Sequence, residues 1–100
     1  MDVFTVYAVL RSAQALDDAA VEVVGRALGP DREELSVWRD GQDPTVLRVS
    51  TDLEADDGEG ALDAGHALAR RALAVCPFAG SVEEVVAMTD EDQLVWRAEP

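Results

Sequence analysis

The two side chains with the widest chemical range, one histidine and one cysteine, stand in settings that favour packing over catalysis. His66 lies one helical turn from Asp63 and Arg70 with no nucleophile nearby, so we predict an exposed helical histidine rather than a general base. Cys76 follows the end of the same predicted helix, where the helix dipole opposes a thiolate. We predict that Cys76 packs in or near the core, and we assign no catalytic residue.

Four carboxylate residues have a spacing that resembles a calcium-binding loop. The ligands of an EF-hand loop stand at positions 1, 3, 5 and 12, and the matching residues here are Asp52, Glu54, Asp56 and Asp63. The sharp turn of such a loop needs glycine at position 6, where this chain has Asp57. The competing interpretation is an acidic loop that caps a helix. The sequence implies no other metal and no cofactor.

A second set of side chains is of the type that anchors protein interfaces. Tyrosine, tryptophan and arginine are enriched among such anchors. If the same face forms a pocket, Arg48 would hold a carboxylate of a small ligand. Alternatively, the C-terminal segment, with Leu94 and Trp96, folds back and covers this face. The candidate interface or ligand-binding residues are Tyr7, Trp38, Val46, Arg48 and Trp96.

The apolar pattern predicts the elements that position these residues. It alternates with a period of two over residues 3–10, 34–39, 45–51 and 82–88, which predicts four strands. Asp17 is a good N-cap for a first helix, which Gly29 and Pro30 would end. Asp56 or Asp57 would cap a second helix, which Pro77 would end. An acidic loop over residues 52–60 connects the third strand to that helix.

The order of segments in residues 1–88 resembles the ferredoxin-like βαββαβ arrangement. The resemblance implies an α+β fold, with a four-stranded antiparallel sheet and both helices on one face. The other face would then be open and would carry Trp38. Residues 89–100 form an appendage, for which we favour a short helix after Thr89 over a fifth strand through Leu94 and Trp96. All 100 residues are expected to form one domain.

The composition argues against several classes of function. The formal net charge is −13, and the eight basic residues are all arginine. Such a charge repels phosphate backbones and anionic lipid surfaces, so we expect neither nucleic-acid nor membrane binding. A single cysteine excludes an intrachain disulfide. No signal peptide or membrane-spanning run is evident, and we therefore expect a soluble cytoplasmic protein.

Three functional hypotheses follow. The first is a small non-catalytic interaction module that associates through its open sheet face, as a homodimer or with another protein. The second is a small-ligand-binding module or enzyme whose pocket lies at that face. The third is an acidic inhibitor that imitates the charge of a nucleic acid and thereby binds and blocks a basic protein. The sequence favours the first hypothesis but identifies no ligand or partner.

Overall fold

One antiparallel sheet of five strands, with two helices on one side, makes up the fold. The computed structural model describes residues 2–29, 35–76 and 78–99. The strands are arranged in the order β2-β3-β1-β4-β5, so the fold is α+β. In chain order the elements are β1 (Asp2–Ser12), α1 (Asp18–Leu28), β2 (Ser36–Arg39), β3 (Val46–Ala55), α2 (Gly58–Val75), β4 (Gly80–Met88) and β5 (Gln93–Arg97).

The fifth strand shows that the predicted four-stranded ferredoxin-like sheet is wrong. Residues 93–97 pair antiparallel with β4, from Met88 opposite Gln93 to Glu84 opposite Arg97. The short C-terminal helix that we favoured does not form, and the alternative of a strand is what the chain adopts. The edge of β4 supplies backbone partners for this segment along its whole length, which an isolated short helix would lack.

Thr89 explains why a helix was expected there. Its Oγ1 accepts hydrogen bonds from the N–H groups of Glu91, at 3.3 Å, and Asp92, at 3.1 Å. A helix N-cap makes bonds of this kind. Here the N–H of Thr89 also donates to the carbonyl of Asp92 at 2.8 Å, which closes a hairpin turn between β4 and β5. The local signal was therefore satisfied by a turn instead of a helix.

The predicted N-caps of both helices are confirmed. The Asp17 carboxylate accepts the N–H of Ala20 at 2.8 Å, and the Asp57 carboxylate accepts the N–H of Gly60 at 2.7 Å. Gly29 ends α1 with a φ of 157°, in the positive range that glycine tolerates. The predicted helix-ending prolines lie outside the described residues. Neither helix in the described part of the chain has the length and apolar character needed to cross a bilayer.

The core lies between the helices and one face of the sheet. Helix α2 packs on β1, β3, β4 and β5, whereas α1 packs on α2 and β2. Gly65 allows α2 to lie close to the sheet, since a Cβ there would stand 2.6 Å from Val6 Cγ1 and 2.7 Å from Val85 Cγ1. The two valines are fully buried, at the centre of the apolar cluster.

β3 is longer than predicted. We expected it to end at Thr51, but it continues to Ala55 because β1 extends back to Asp2 and pairs with it there. Asp52 and Glu54 are therefore strand residues and do not belong to a loop. This extension places acidic side chains on the sheet itself.

Candidate functional site

The side of the sheet opposite the helices, called the open face below, carries a row of interface-type side chains. Directly opposed residues of antiparallel strands point to the same side. Trp38 on β2 opposes Arg48 on β3, which opposes Val9 on β1. Val9 in turn opposes Glu84 on β4, which opposes Arg97 on β5. One row of side chains thus crosses all five strands.

Tyr7, Trp38 and Arg48 form a single cluster on the open face. The rings of Tyr7 and Trp38 have centroids 6.0 Å apart and are tilted by 48°. The Arg48 guanidinium donates a hydrogen bond to the Tyr7 hydroxyl and lies 5.8 Å from the centroid of its ring. Trp38 remains 39% exposed. The cluster therefore presents a large apolar surface that its own contacts hold in place.

Asp40 holds Arg48 from the other side. The Arg48 Nε and Nη2 atoms each lie 3.0 Å from Asp40 Oδ1. The backbone N–H of Gln42 and then the Arg48 side chain lower the pKa of Asp40 below 3.8. The hydrogen bond to Tyr7, joined by the one to Asp40, raises the pKa of Arg48. Both side chains are therefore held in their charged forms, and the charge of Arg48 is already compensated within the chain.

Two further arginines on the open face, among the residues that the structure describes, are also paired. Arg11 contacts Glu83 and lies 3.1 Å from Asp43, and Arg97 Nε lies 2.8 Å from Glu84. These pairs are exposed or half-exposed and contribute little to stability individually. The ion pairs instead reduce the electrostatic potential of this part of the open face, because positive and negative groups alternate there. This part of the surface is thus close to neutral on a chain of net charge −13.

Asp43 provides a test of this charge network. Hydrogen bonds from the Thr45 hydroxyl and the Thr45 backbone N–H, with a further one from Arg11, lower the pKa of Asp43 from 3.8 to about 2. Because the folded-state pKa is depressed, the resulting stabilisation is present above pH 3.8 and is lost as the pH falls toward about 2. We expect Thr45→Val to raise the pKa of Asp43, measured by a carboxyl NMR titration. Asp40 does not bond to Thr45, so the pKa of Asp40 should stay unchanged. An unchanged pKa of Asp43 would contradict the conclusion that the Thr45 hydroxyl lowers it.

Four of the five predicted interface or ligand-binding residues lie together, and the fifth does not. Tyr7, Trp38, Val46 and Arg48 share the open face, although Val46 is only 5% exposed and offers little surface to a partner. Trp96 lies on the helix side of the sheet, with its ring centroid 4.4 Å from that of His66. Trp96 therefore belongs to the packing of β5 against α2.

The C-terminal segment does not cover the open face. Residues 93–97 extend the sheet sideways, and Leu94 points to the helix side, near Gly58. Within the described residues, nothing lies across Trp38. Arg11, Glu84 and Arg97 were missed as members of this surface, but a strand period continued past residue 10 would have placed Arg11 on the same face as Tyr7 and Val9.

The predicted metal ligands are not brought together. Asp52 and Glu54 lie on β3, facing the open side, and the Asp52 carboxylate accepts a hydrogen bond from the Thr5 hydroxyl at 2.9 Å. Asp63 lies on α2, across the sheet, and Asp56 lies between them in the chain. Among residues 2–29, 35–76 and 78–99, no group of three or more His, Cys, Asp or Glu side chains is arranged to hold a metal ion.

The part of the open face beside Arg48 is a broad depression rather than an enclosed cavity. It has a volume of about 610 Å³ and is lined by Val9, Arg48, Ser81, Glu83, Glu84 and Arg97, with further residues of the C-terminal end. Comparison with protein families, curated proteins and solved structures finds no significant match to this chain. Its function must therefore be inferred from this surface.

Proposed function

We propose that this protein is a small non-catalytic module that associates with a second copy through its open face. The observation that carries the proposal is the Tyr7–Trp38–Arg48 cluster, which is partly exposed and extends from the edge strand β2 to the central strand β1, on a face that no other described residue covers. Tryptophan, tyrosine and arginine contribute most of the binding energy in typical interfaces. Because their mutual contacts already restrict them, little side-chain entropy remains to be lost on association.

The charge distribution supports contact at this face. Two copies with a net charge of −13 repel each other over most of their surfaces. Around the cluster, Arg11, Arg48 and Arg97 are each paired with acids of the same chain, so net repulsion is lower there than at the end of the face that carries Asp52 and Glu54. We therefore expect the dimer to strengthen as salt screens the remaining acidic surface.

The size of the face is sufficient for a stable contact. Five strands spaced about 4.8 Å apart make the sheet about 24 Å wide. The strands differ in length and average about 25 Å, so the projected area of the face is on the order of 600 Å². The accessible area of a surface covered by side chains exceeds its projection. A stable interface buries roughly 800 Å² on each partner. Face-to-face packing of two copies therefore provides an interface of ordinary size.

Sedimentation of the unmodified protein tests the proposal. We expect a dimer that dissociates on dilution between about 1 mM and 1 μM, with a lower dissociation constant at about 0.5 M salt than at about 0.05 M. In a Trp96→Phe variant, Trp38 is the remaining tryptophan, and its fluorescence should shift to longer wavelength as the dimer dissociates. A monomer at 1 mM in both salt conditions would contradict the proposal.

The other two hypotheses remain predictions with less support. A ligand carboxylate would have to displace Asp40 from Arg48, and the adjacent depression is open. A ligand site would show itself as a thermal shift in a small-molecule screen. An acidic inhibitor would bind a basic protein with an affinity that falls steeply with salt, which is opposite to the salt dependence expected for the open-face dimer.

A further inference from the structure

We propose that the outer edge of β5 pairs antiparallel with the same strand of a second copy, so that one sheet continues through both molecules. β5 is the last strand of the sheet, and all five of its residues are exposed. Leu94, Val95 and Trp96 keep 40%, 41% and 37% of their surface accessible. A free edge with consecutive apolar side chains is a template for another strand. This contact uses the backbone edge of β5, whereas the open-face contact uses side chains, among them that of Arg97.

The backbone pattern identifies which groups the edge offers. On the side of β4, the N–H of Thr89 donates to the carbonyl of Asp92 at 2.8 Å, and the N–H of Ala98 donates to the carbonyl of Glu83 at 2.9 Å. Hydrogen-bonding direction alternates along an antiparallel strand, so even-numbered residues of this segment face β4 and odd-numbered residues face outward. The residues with outward-facing backbone groups are Gln93, Val95 and Arg97.

The strand is complementary to itself in one register. A two-fold axis at Val95 places Val95 opposite Val95, Gln93 opposite Arg97 and Leu94 opposite Trp96 of the second copy. The outward N–H and C=O groups then meet in three pairs, which form about six backbone hydrogen bonds. Apolar side chains face apolar ones, and the Gln93 amide oxygen can accept a bond from Arg97. No acid lies in residues 93–98, although acids make up 21 of the 100 residues.

The neighbouring registers are less favourable. In another register, the outward backbone groups of the two strands meet, and their side chains stay on the same faces, only if the two-fold axis moves by a whole residue. The nearest such positions of the axis are Leu94 and Trp96. The first shift opposes Gln93 to Val95, and the second opposes Val95 to Arg97. Each places a polar side chain against an apolar one. The register at Val95 is also closed by its two-fold symmetry, so it ends at two copies and does not continue into a fibre.

The contact is small, and we expect it to be weak. Five residues bury less surface than a standard interface, and Glu91 would face Glu99 of the second copy just beyond the paired segment. Salt should screen this repulsion and favour pairing. A covalent trap is therefore the most sensitive measurement. The trap is best set in a Trp38→Glu variant, in which association through the open face is weakened by at least about a hundredfold.

The first experiment measures disulfide formation at the predicted axis. In a background of Trp38→Glu and Cys76→Ser, Val95→Cys would place two thiols on residues whose Cα atoms lie about 5.5 Å apart, within the range of a disulfide. We expect crosslinked dimers to form at least about tenfold faster than for Val23→Cys on α1, a position that is slightly more exposed, at 47% against 41% for Val95. Equal rates at the two positions would overturn the proposal.

The second experiment removes one outward N–H group. In the Trp38→Glu background, Val95→Pro deletes a donor that faces solvent in the monomer, where proline is tolerated on an edge strand. We expect it to abolish association in sedimentation at about 1 mM, whereas Val95→Ala should retain a dimer. If Val95→Pro fails to fold, the Gln93→Arg variant is used instead, because it places an arginine at position 93 opposite Arg97 of the second copy. Adding Arg97→Gln removes this repulsion and should restore pairing. Equal association of the variant and its control would overturn the edge contact and leave the open-face proposal untouched.

Discussion

Replacing Trp38 with glutamate is expected to raise the dissociation constant of the open-face dimer by at least about a hundredfold. Loss of a tryptophan anchor at an interface typically costs about 2–4 kcal/mol, and a buried carboxylate adds a desolvation penalty. Trp38 is 39% exposed in the monomer and contacts Tyr7, so the variant loses little of its own core packing. Sedimentation equilibrium of the variant should therefore show a folded monomer below about 0.1 mM, where the parent is still largely a dimer and the weaker pairing of β5 edges is not populated.

Val23→Glu is the matched control for the added charge. Val23 is 47% exposed and lies on α1, on the other side of the sheet. The same negative charge at that position should change the dissociation constant by less than about threefold, through the general repulsion between two acidic molecules. Equal weakening by the two variants would mean that net charge, and not the open face, governs association.

Opposite effects of the same substitution are expected at two helical glycines. Alanine at position 65 brings a Cβ to 2.6 Å from Val6 Cγ1 and 2.7 Å from Val85 Cγ1, which is closer than real Cβ atoms approach. Both valines are buried in a tightly packed core, so α2 must move away from the sheet. Overpacking of this kind typically costs about 1–3 kcal/mol. We expect Gly65→Ala to lower the free energy of unfolding, measured by urea denaturation, by an amount in this range.

Gly25→Ala is the reference for that measurement. A Cβ at Gly25 meets no atom within 4 Å, and its backbone has ordinary helical geometry within α1. Alanine there should raise the free energy of unfolding by up to about 1 kcal/mol, since it reduces the entropy of the unfolded chain and favours the helix. Stabilisation by both substitutions would show that α2 does not lie as close to the sheet as described.

Short-range signals predicted the elements well where the core also required them. Asp17 begins a helix because Val24 and Leu28 in the following turns face the core. Thr89 makes the same type of capping bond, yet a strand follows it because β4 has a free edge beside it. The difference between these two cases lies in tertiary contacts, which a local pattern does not contain.

The side on which a residue lies was harder to predict near the end of the chain. A shift of one residue in strand register exchanges the two faces of the sheet. The placement of Tyr7, Trp38 and Arg48 on one face followed from long alternating strands. Trp96 had no such support, since residues 93–97 were expected to form a helix, and its packing against His66 was not anticipated. Asp52 was likewise assigned to a loop, because the local sequence does not show that the first residues of β1 pair with it.

The position of β1 in the middle of the sheet has a consequence during protein synthesis. β1 leaves the ribosome first, but its two neighbours are β3 and β4, which follow only at residues 46–55 and 80–88. At about 5–20 residues per second, the apolar segment of residues 3–10 waits several seconds before it can pair. An uncharged stretch of this kind is prone to intermolecular strand formation. Nascent chains of this protein therefore pass through a period in which a chaperone that shields extended apolar segments would raise the yield of folded molecules.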